Sequence, residues 1–117
     1  GIIYINLVDF DALYGHRNDP IGFARAVERF DIGLGQVLSE LTPSDVLCIT
    51  ADHGCDPTTP GTDHTREWVP LILWRTDLEQ PVKLGDRETF ADLGATVADY
   101  FGVNRPVVGT SFLGDLL

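Results

Sequence analysis

Residues 1–17, GIIYINLVDFDALYGHR, decide the fold that the sequence predicts. Gly1–Val8 are almost all apolar β-formers, a pattern typical of a strand that is covered on both faces. The segment Asp9–Asp19 is rich in Asp, His, Arg and Gly, and it predicts a polar loop at the carboxyl end of that strand. Functional groups of α/β sheets collect at such ends, so this stretch predicts both a fold class and the position of a site.

A helix and two further strands follow this loop. Asp19 and Pro20 suit the N-cap and the first position of a helix. One apolar stripe then runs over about six turns, with residues at steps of three and four: Phe23, Val27, Phe30, Leu34, Val37 or Leu38, and Leu41. Strands are predicted at Asp45–Thr50 and Trp68–Trp74, joined by a loop at Ala51–Glu67, and Pro70 places the start of the second strand at an edge or bulge. A helix capped by Thr89 is predicted from Phe90 to about Phe101. A short strand or turn is predicted within Gly102–Leu117.

The composition predicts one soluble globular domain over residues 1–117. With 18 acidic and 8 basic residues the formal net charge is −10, which argues against a nucleic-acid surface and suits a cation site. The longest apolar stretches, Ile2–Val8 and Val69–Trp74, are too short to span a membrane. Cys48 and Cys55 are too few for a disulfide framework, so a reducing cytoplasmic location is expected.

The start of the chain is unusual for a natural product. It opens directly on a strand-like run at Gly1, and the sequence contains no methionine. A trimmed initiator would account for this, but we favour the interpretation that the chain is a piece of a longer protein.

All three histidines of the chain, His16, His53 and His64, lie in the two polar loops. A single loop histidine is more often hydrogen-bonded or exposed than a ligand. Three of them beside Asp11 and Asp52, at strand ends, predict a metal site. Imidazole and carboxylate ligands together suit divalent Mn, Zn or Fe better than Ca.

Such a cluster suits phosphoryl transfer, because two metals about 3.5–4 Å apart can clamp the attacking and leaving oxygens. Arg17 and Arg66 are candidates for holding a substrate phosphate, although a salt bridge to neighbouring acids is an equally good interpretation. Cys55 beside the second loop is a weaker candidate for a nucleophile and more often packs. The chain has no nucleophile elbow, P-loop or dinucleotide-binding glycine motif.

Two groups of short motifs resemble the phosphopentomutase family of the alkaline phosphatase superfamily. The first group is NLVDFD at residues 6–11 and GHR at 15–17, and the second is TADHGCDP at 50–57 and TDHTRE at 62–67. The ending GTSFL at 109–113 is also similar to that family. The resemblance implies an α/β fold: a partial alkaline-phosphatase-like core with a mostly parallel sheet flanked by helices, without the N-terminal part and the cap domain.

The resemblance also implies the chemistry. Asp11, His16 and His64 would bind one manganese, and Asp52 and His53 a second, although zinc would suit the same ligands. The family interconverts ribose 1-phosphate and ribose 5-phosphate, and the deoxyribose pair, in nucleotide metabolism. A phosphorylated threonine and a bisphosphate intermediate carry the transfer, and a glucose bisphosphate can prime it.

Parts of the family pattern do not occur in this sequence. An N-terminal aspartate ligand, the nucleophilic threonine and the cap domain precede these motifs in the family, and Thr50, Thr62 and Thr65 match other motifs. We therefore expect an inactive fragment that self-associates through uncovered sheet edges. The alternatives are another enzyme of the superfamily, such as a cofactor-independent phosphoglycerate mutase or a phosphodiesterase, and a non-catalytic metal-binding or assembly module.

Overall fold

The computed structural model describes residues 1–104 and 108–116. Its elements, in chain order, are a π-helix at Phe10–Gly15, helix α1 at Pro20–Glu40, strand β1 at Leu47–Thr50, strand β2 at Leu71–Trp74, helix α2 at Ala91–Tyr100 and a 3₁₀ turn at Leu113–Asp115. The chain divides into two compact units, Gly1–Asp77 and Leu78–Leu117. The single domain remains a prediction. No helix within the described residues is both long and apolar enough to cross a membrane.

Helix α1 begins where its cap signals predict. The Asp19 carboxylate accepts a hydrogen bond from the Gly22 backbone N–H at 2.8 Å, and Pro20 occupies the first helical position. Gly22 is required there, because an added Cβ would lie 2.3 Å from an Asp19 carboxylate oxygen and 2.4 Å from the Tyr14 ring. The first turn of α1 therefore packs closely against the preceding π-helix.

An aromatic cluster joins the π-helix to α1. The ring of Phe10 meets Phe23 edge to face at 5.3 Å between centroids, and it meets Phe30 in the same manner at 6.4 Å. Both partners belong to the predicted apolar stripe of α1. This packing attaches the start of the π-helix, which contains Asp11, to α1.

Strands β1 and β2 pair antiparallel, with Leu47 opposite Trp74 and Thr50 opposite Leu71. Both strands lie within their predicted ranges and are shorter than predicted. The mostly parallel sheet implied by the resemblance is not the arrangement of these two strands. A parallel pair needs a crossover connection, usually a helix, whereas residues 51–70 form a loop that returns directly.

The prediction of a buried strand at Gly1–Val8 is wrong for this structure. The residues from Gly1 to Leu7 form no strand, and Ile3 and Tyr4 are 89% and 83% exposed. A strand persists only if a neighbour pairs with its backbone groups, and β1 and β2 pair with each other. The predicted loop Asp9–Asp19 is also corrected, because most of it is the π-helix.

The second unit consists of α2 and the tail. The helix is one residue shorter at each end than predicted, and the Thr89 hydroxyl accepts a hydrogen bond from the Ala91 N–H at 3.2 Å. The predicted strand or turn in the tail appears as the 3₁₀ turn, while Arg105–Val107 and Leu117 lie outside the described residues.

A buried acid ties the tail to α2. The Asp92 carboxylate pairs with Arg87 at 3.1 Å and accepts the Thr110 N–H at 2.8 Å. The Thr96 hydroxyl accepts the Phe112 N–H at 3.0 Å, and the Phe112 ring is almost fully buried. A buried carboxylate is costly without partners, so the bonds from Arg87 and the Thr110 N–H stabilise the unit by satisfying Asp92.

Candidate metal centre

The candidate centre is built around one carboxylate oxygen of Asp11. Its Oδ1 lies 3.3 Å from Nε2 of His16 and 3.3 Å from Nε2 of His64. The three ligand atoms are all within 4.8 Å of one another. Two segments far apart in sequence, the π-helix with its C-cap residue and the loop at residues 51–70, thus bring one carboxylate and two imidazoles to a single point.

The π-helix explains how Asp11 and His16 reach this point together. Residues five apart point about 140° away from each other in an α-helix. Here the His16 N–H donates to the Asp11 carbonyl at 2.9 Å, the i→i+5 bond that defines a π-helix and brings both residues to one face. Sequence reasoning missed this element, and the five-residue spacing was its only signal.

The cluster fits a divalent cation. Two ligand atoms that each lie about 2.1 Å from one tetrahedral ion are about 3.4 Å apart. The distances from Asp11 Oδ1 to the two histidine Nε2 atoms, both 3.3 Å, are close to this value. Asp11 Oδ1 is buried and has no hydrogen-bond donor within the described part of the chain. A buried carboxylate oxygen without a donor is costly, and a cation at this point would compensate it.

The imidazole of His16 has the orientation that a metal ligand needs. Its Nδ1 is hydrogen-bonded to the carbonyl oxygen of Thr62, which can only accept, so Nδ1 carries the proton. In the neutral ring the Nε2 lone pair then faces Asp11. In metal-binding histidines the ring nitrogen that does not bind the metal usually donates its N–H to an acceptor such as a backbone carbonyl, which fixes the orientation of the ring. Thr62 was not predicted for this role, which its backbone rather than its side chain fills.

The other predicted ligand pair lies beside this cluster. The ring of His53 stacks on His64 at 3.6 Å between centroids, and its Nε2 lies 3.5 Å from Asp52 Oδ1. The His53 Nδ1 donates to the Gly54 carbonyl at 3.1 Å, so Nε2 is the nitrogen that carries the lone pair in the neutral ring. Asp52 and His53 are therefore adjacent to each other but outside the three-residue group, and the Asp52 side chain is 83% exposed.

Cys55 packs behind the cluster. An added Cβ at the buried Gly15 would lie 2.1 Å from Cys55 Sγ, so only glycine leaves room for the thiol. Burial raises the pKa of the Cys55 thiol, and the carboxylates of Asp11 and Asp56 raise this pKa further. Because the thiolate is the nucleophilic form, the environment favours packing over nucleophilic attack.

The two candidate arginines are exposed on the same unit. Neither Arg17 nor Arg66 has an ion pair among residues 1–104 and 108–116, so the salt-bridge interpretation is not what the structure shows. Their guanidinium groups are available to a phosphate.

Sequence comparison agrees with a metal-dependent role. The chain belongs to the metalloenzyme superfamily, whose family model matches residues 1–105. Within it the chain is similar to proteins named phosphopentomutase, as the motifs predicted. It is 61% identical over 116 residues to the phosphopentomutase of Anaeromyxobacter dehalogenans strain 2CP-C, a match that covers 99% of this chain and 29% of that protein.

Two further relatives carry the same name. The phosphopentomutase of Kosmotoga olearia is 56% identical, over 100% of this chain and 30% of that protein. That of Thermotoga petrophila is 60% identical, over 95% of this chain and 28% of that protein. The chain thus spans about three-tenths of the length of the curated relatives it matches.

Proposed function

We propose that this chain carries the metal-binding portion of a phosphopentomutase that interconverts ribose 1-phosphate and ribose 5-phosphate, and the deoxyribose pair. The observation that carries this proposal is the convergence of two imidazole nitrogens on the buried Oδ1 of Asp11, which has no donor among the described residues. The names of the relatives favour a mutase over a phosphodiesterase or a non-catalytic module. A cytoplasmic location remains a prediction.

Within this proposal, Asp11, His16 and His64 hold one Mn²⁺, or Zn²⁺ in its place. Asp52 and His53 contribute to a second site, which needs a further ligand from elsewhere in the longer protein. The metals supply positive charge that offsets the charge of the phosphoryl oxygens. The parallel core sheet, the N-terminal part and the cap domain of the alkaline-phosphatase-like fold are proposed on the same resemblance.

Substrate binding is assigned to two residues of this chain. Arg17 and Arg66 are exposed and unpaired among the described residues, and each follows a candidate ligand by one or two positions. A guanidinium binds phosphate oxygens through two parallel hydrogen bonds. We expect Arg17→Ala or Arg66→Ala to weaken ribose 5-phosphate binding to the Mn²⁺-loaded chain, measured by calorimetry. Unchanged affinity in both variants would remove the arginines from the site.

The 117-residue chain alone is proposed to be inactive as a mutase. By the family resemblance the phosphoryl group passes through a threonine, and no threonine here matches that motif. The expected result is no conversion of ribose 1-phosphate by the purified chain with Mn²⁺ and a glucose bisphosphate primer. Turnover above the metal-only blank would refute this.

Calorimetric titration with Mn²⁺ tests the metal site directly. We expect binding near one equivalent to the Asp11–His16–His64 group, with about a tenfold loss or more in Asp11→Asn and in His64→Ala, since each variant removes a ligand. The matched control is Asp63→Asn, which removes one negative charge beside His64 but no member of the ligand group.

The control separates coordination from general electrostatics. If Asp63→Asn weakens Mn²⁺ binding as much as Asp11→Asn does, the cation is held by diffuse negative charge and the proposed ligand set fails. Circular dichroism of each variant confirms that the helices are retained.

A further inference from the structure

The loop Asp56–Asp63, named here the site loop, is closed at its base. Gly54 and Thr65 face each other in an isolated antiparallel bridge, with the Thr65 N–H donating to the Gly54 carbonyl at 3.2 Å. The Asp56 N–H donates to the Thr65 hydroxyl at 2.8 Å. His53 and His64 flank this bridge in sequence, so closing the base brings their rings into the observed stack.

The first half of the site loop is held by one carboxylate. Asp56 accepts hydrogen bonds from the Thr58 N–H at 2.8 Å, the Thr58 hydroxyl at 2.7 Å and the Thr59 hydroxyl at 3.1 Å. The Thr59 N–H also donates to the Asp56 carbonyl at 3.1 Å. These bonds define the path of the backbone through Thr59.

The site loop in turn contacts the residues that follow the π-helix. The Asn18 side-chain amide donates to the Thr59 carbonyl at 3.1 Å, and His16 Nδ1 donates to the Thr62 carbonyl. Asn18 has a positive φ of 50°, a conformation that Asn tolerates better than most residues. Both contacts run from side chains that follow the π-helix to backbone carbonyls of the site loop.

We propose that the site loop is a clamp that holds His16 and His64 in position for one shared cation, with Asn18 and Asp56 as positioning residues. His64 is the first residue after the clamp, and His16 is bound by the clamp through Thr62. The distance between the two ligands is therefore governed by the bonds of Asn18 and Asp56, neither of which belongs to the ligand group. This inference rests on the proposed metal site.

Asn18→Gly tests the clamp without disturbing the backbone, because glycine adopts a positive φ freely and lacks only the amide donor. Asp56→Ala removes the internal bonds of the loop, and Asp56→Asn, which keeps one acceptor oxygen, is the conservative rescue. The matched controls are Asn6→Gly and Asp31→Ala, at exposed positions outside the clamp. Each chain is titrated with Mn²⁺ at a temperature at which all variants are folded.

We expect about a tenfold loss of Mn²⁺ affinity in Asn18→Gly and in Asp56→Ala, the usual scale for a residue that supports a ligand. Asp56→Asn should recover part of the loss, and the controls should match the parent chain. The double variant Asn18→Gly/Asp56→Ala should lose less than the product of the two single effects, because both residues act through one loop.

A second measurement needs no metal. Nitrogen-15 NMR of the metal-free chain reports the fraction of His16 protonated at Nδ1, and this fraction should fall in Asn18→Gly if the clamp holds the ring. An unchanged fraction overturns the clamp, whether or not Mn²⁺ binds. A parent chain that binds no Mn²⁺ but loses the Nδ1–H form in Asn18→Gly would refute the metal proposal and support the clamp.

Discussion

At the residue scale, two glycines beside the candidate metal centre allow neighbouring atoms to approach the backbone more closely than a side chain would permit. Gly15 lies against Cys55, and Gly54 lies against the Thr65 carbonyl, where an added Cβ would come within 2.4 Å. Both close approaches allow the segments that carry the candidate ligands to meet. By contrast, a Cβ added at Gly33, in the middle of α1, would meet no other atom within 4 Å, so the effect of this glycine is confined to helix propensity.

We predict that Gly15→Ala destabilises the chain by about 1–3 kcal/mol, the usual cost of overpacking. Because the clash is with Cys55 Sγ, the double variant Gly15→Ala/Cys55→Ala should recover part of that stability. Urea unfolding followed by circular dichroism measures both.

Gly33→Ala is the matched control for this substitution. We expect it to stabilise the chain by about 0.5–1 kcal/mol, because Ala is the better helix former and the position is open. If Gly15→Ala were as well tolerated as Gly33→Ala, the close packing of Cys55 on the π-helix would be refuted.

At the scale of elements, the site loop depends on the ionised form of Asp56. Hydrogen bonds from Thr58, through its side chain and then its backbone N–H, lower the pKa of the Asp56 carboxyl. A folded pKa below the unfolded one means that this group stabilises the loop above the unfolded pKa. The contribution is lost as the pH falls through the lower, folded value.

We therefore predict that the site loop opens in acid, at a pH below about 4. Amide hydrogen exchange at Asp56 and Thr65, corrected for the intrinsic pH dependence, should show protection that is lost over this range. In Thr58→Ala the pKa of Asp56, followed by carboxyl-carbon NMR, should rise towards its ordinary value. If the pKa of Asp56 is unchanged in this variant, the hydrogen bonds from Thr58 are not what lowers it.

At the scale of the whole molecule, the chain exposes much apolar surface. Among residues 1–104 and 108–116, four apolar residues are buried, namely Ala26, Ala95, Ala98 and Phe112. The N-terminal segment Gly1–Val8 is the most continuous exposed apolar stretch of that part, with Ile2, Ile3, Tyr4 and Ile5 each more than two-thirds exposed. Extended apolar segments with unpaired backbone groups associate with other chains.

We predict that the chain forms dimers or larger species through Gly1–Val8 at micromolar concentration. Light scattering at several concentrations measures this, and Ile3→Lys should shift the distribution towards monomer. Ile32→Lys, at a similarly exposed position on α1, is the matched control. A monodisperse monomer of the parent chain would contradict the prediction, and an equal effect of Ile32→Lys would place the contact elsewhere.

Features that depend on neighbouring residues could be predicted from the sequence. Asp19, Pro20 and the apolar stripe predicted α1, since capping and helical periodicity act within a few residues. The chemistry of His16, His53 and His64 beside acids also predicted the candidate site, and the short motifs around them predicted the family resemblance.

Features that depend on contacts between distant segments could not be predicted in this way. Gly1–Val8 has the composition of a buried strand and yet forms none, because a strand is stabilised by partners that its own residues do not specify. The π-helix and the Thr62 carbonyl at His16 likewise depend on packing and backbone contacts between segments distant in sequence. The residue types of the candidate ligands are therefore local information, whereas their arrangement in space is set by long-range contacts.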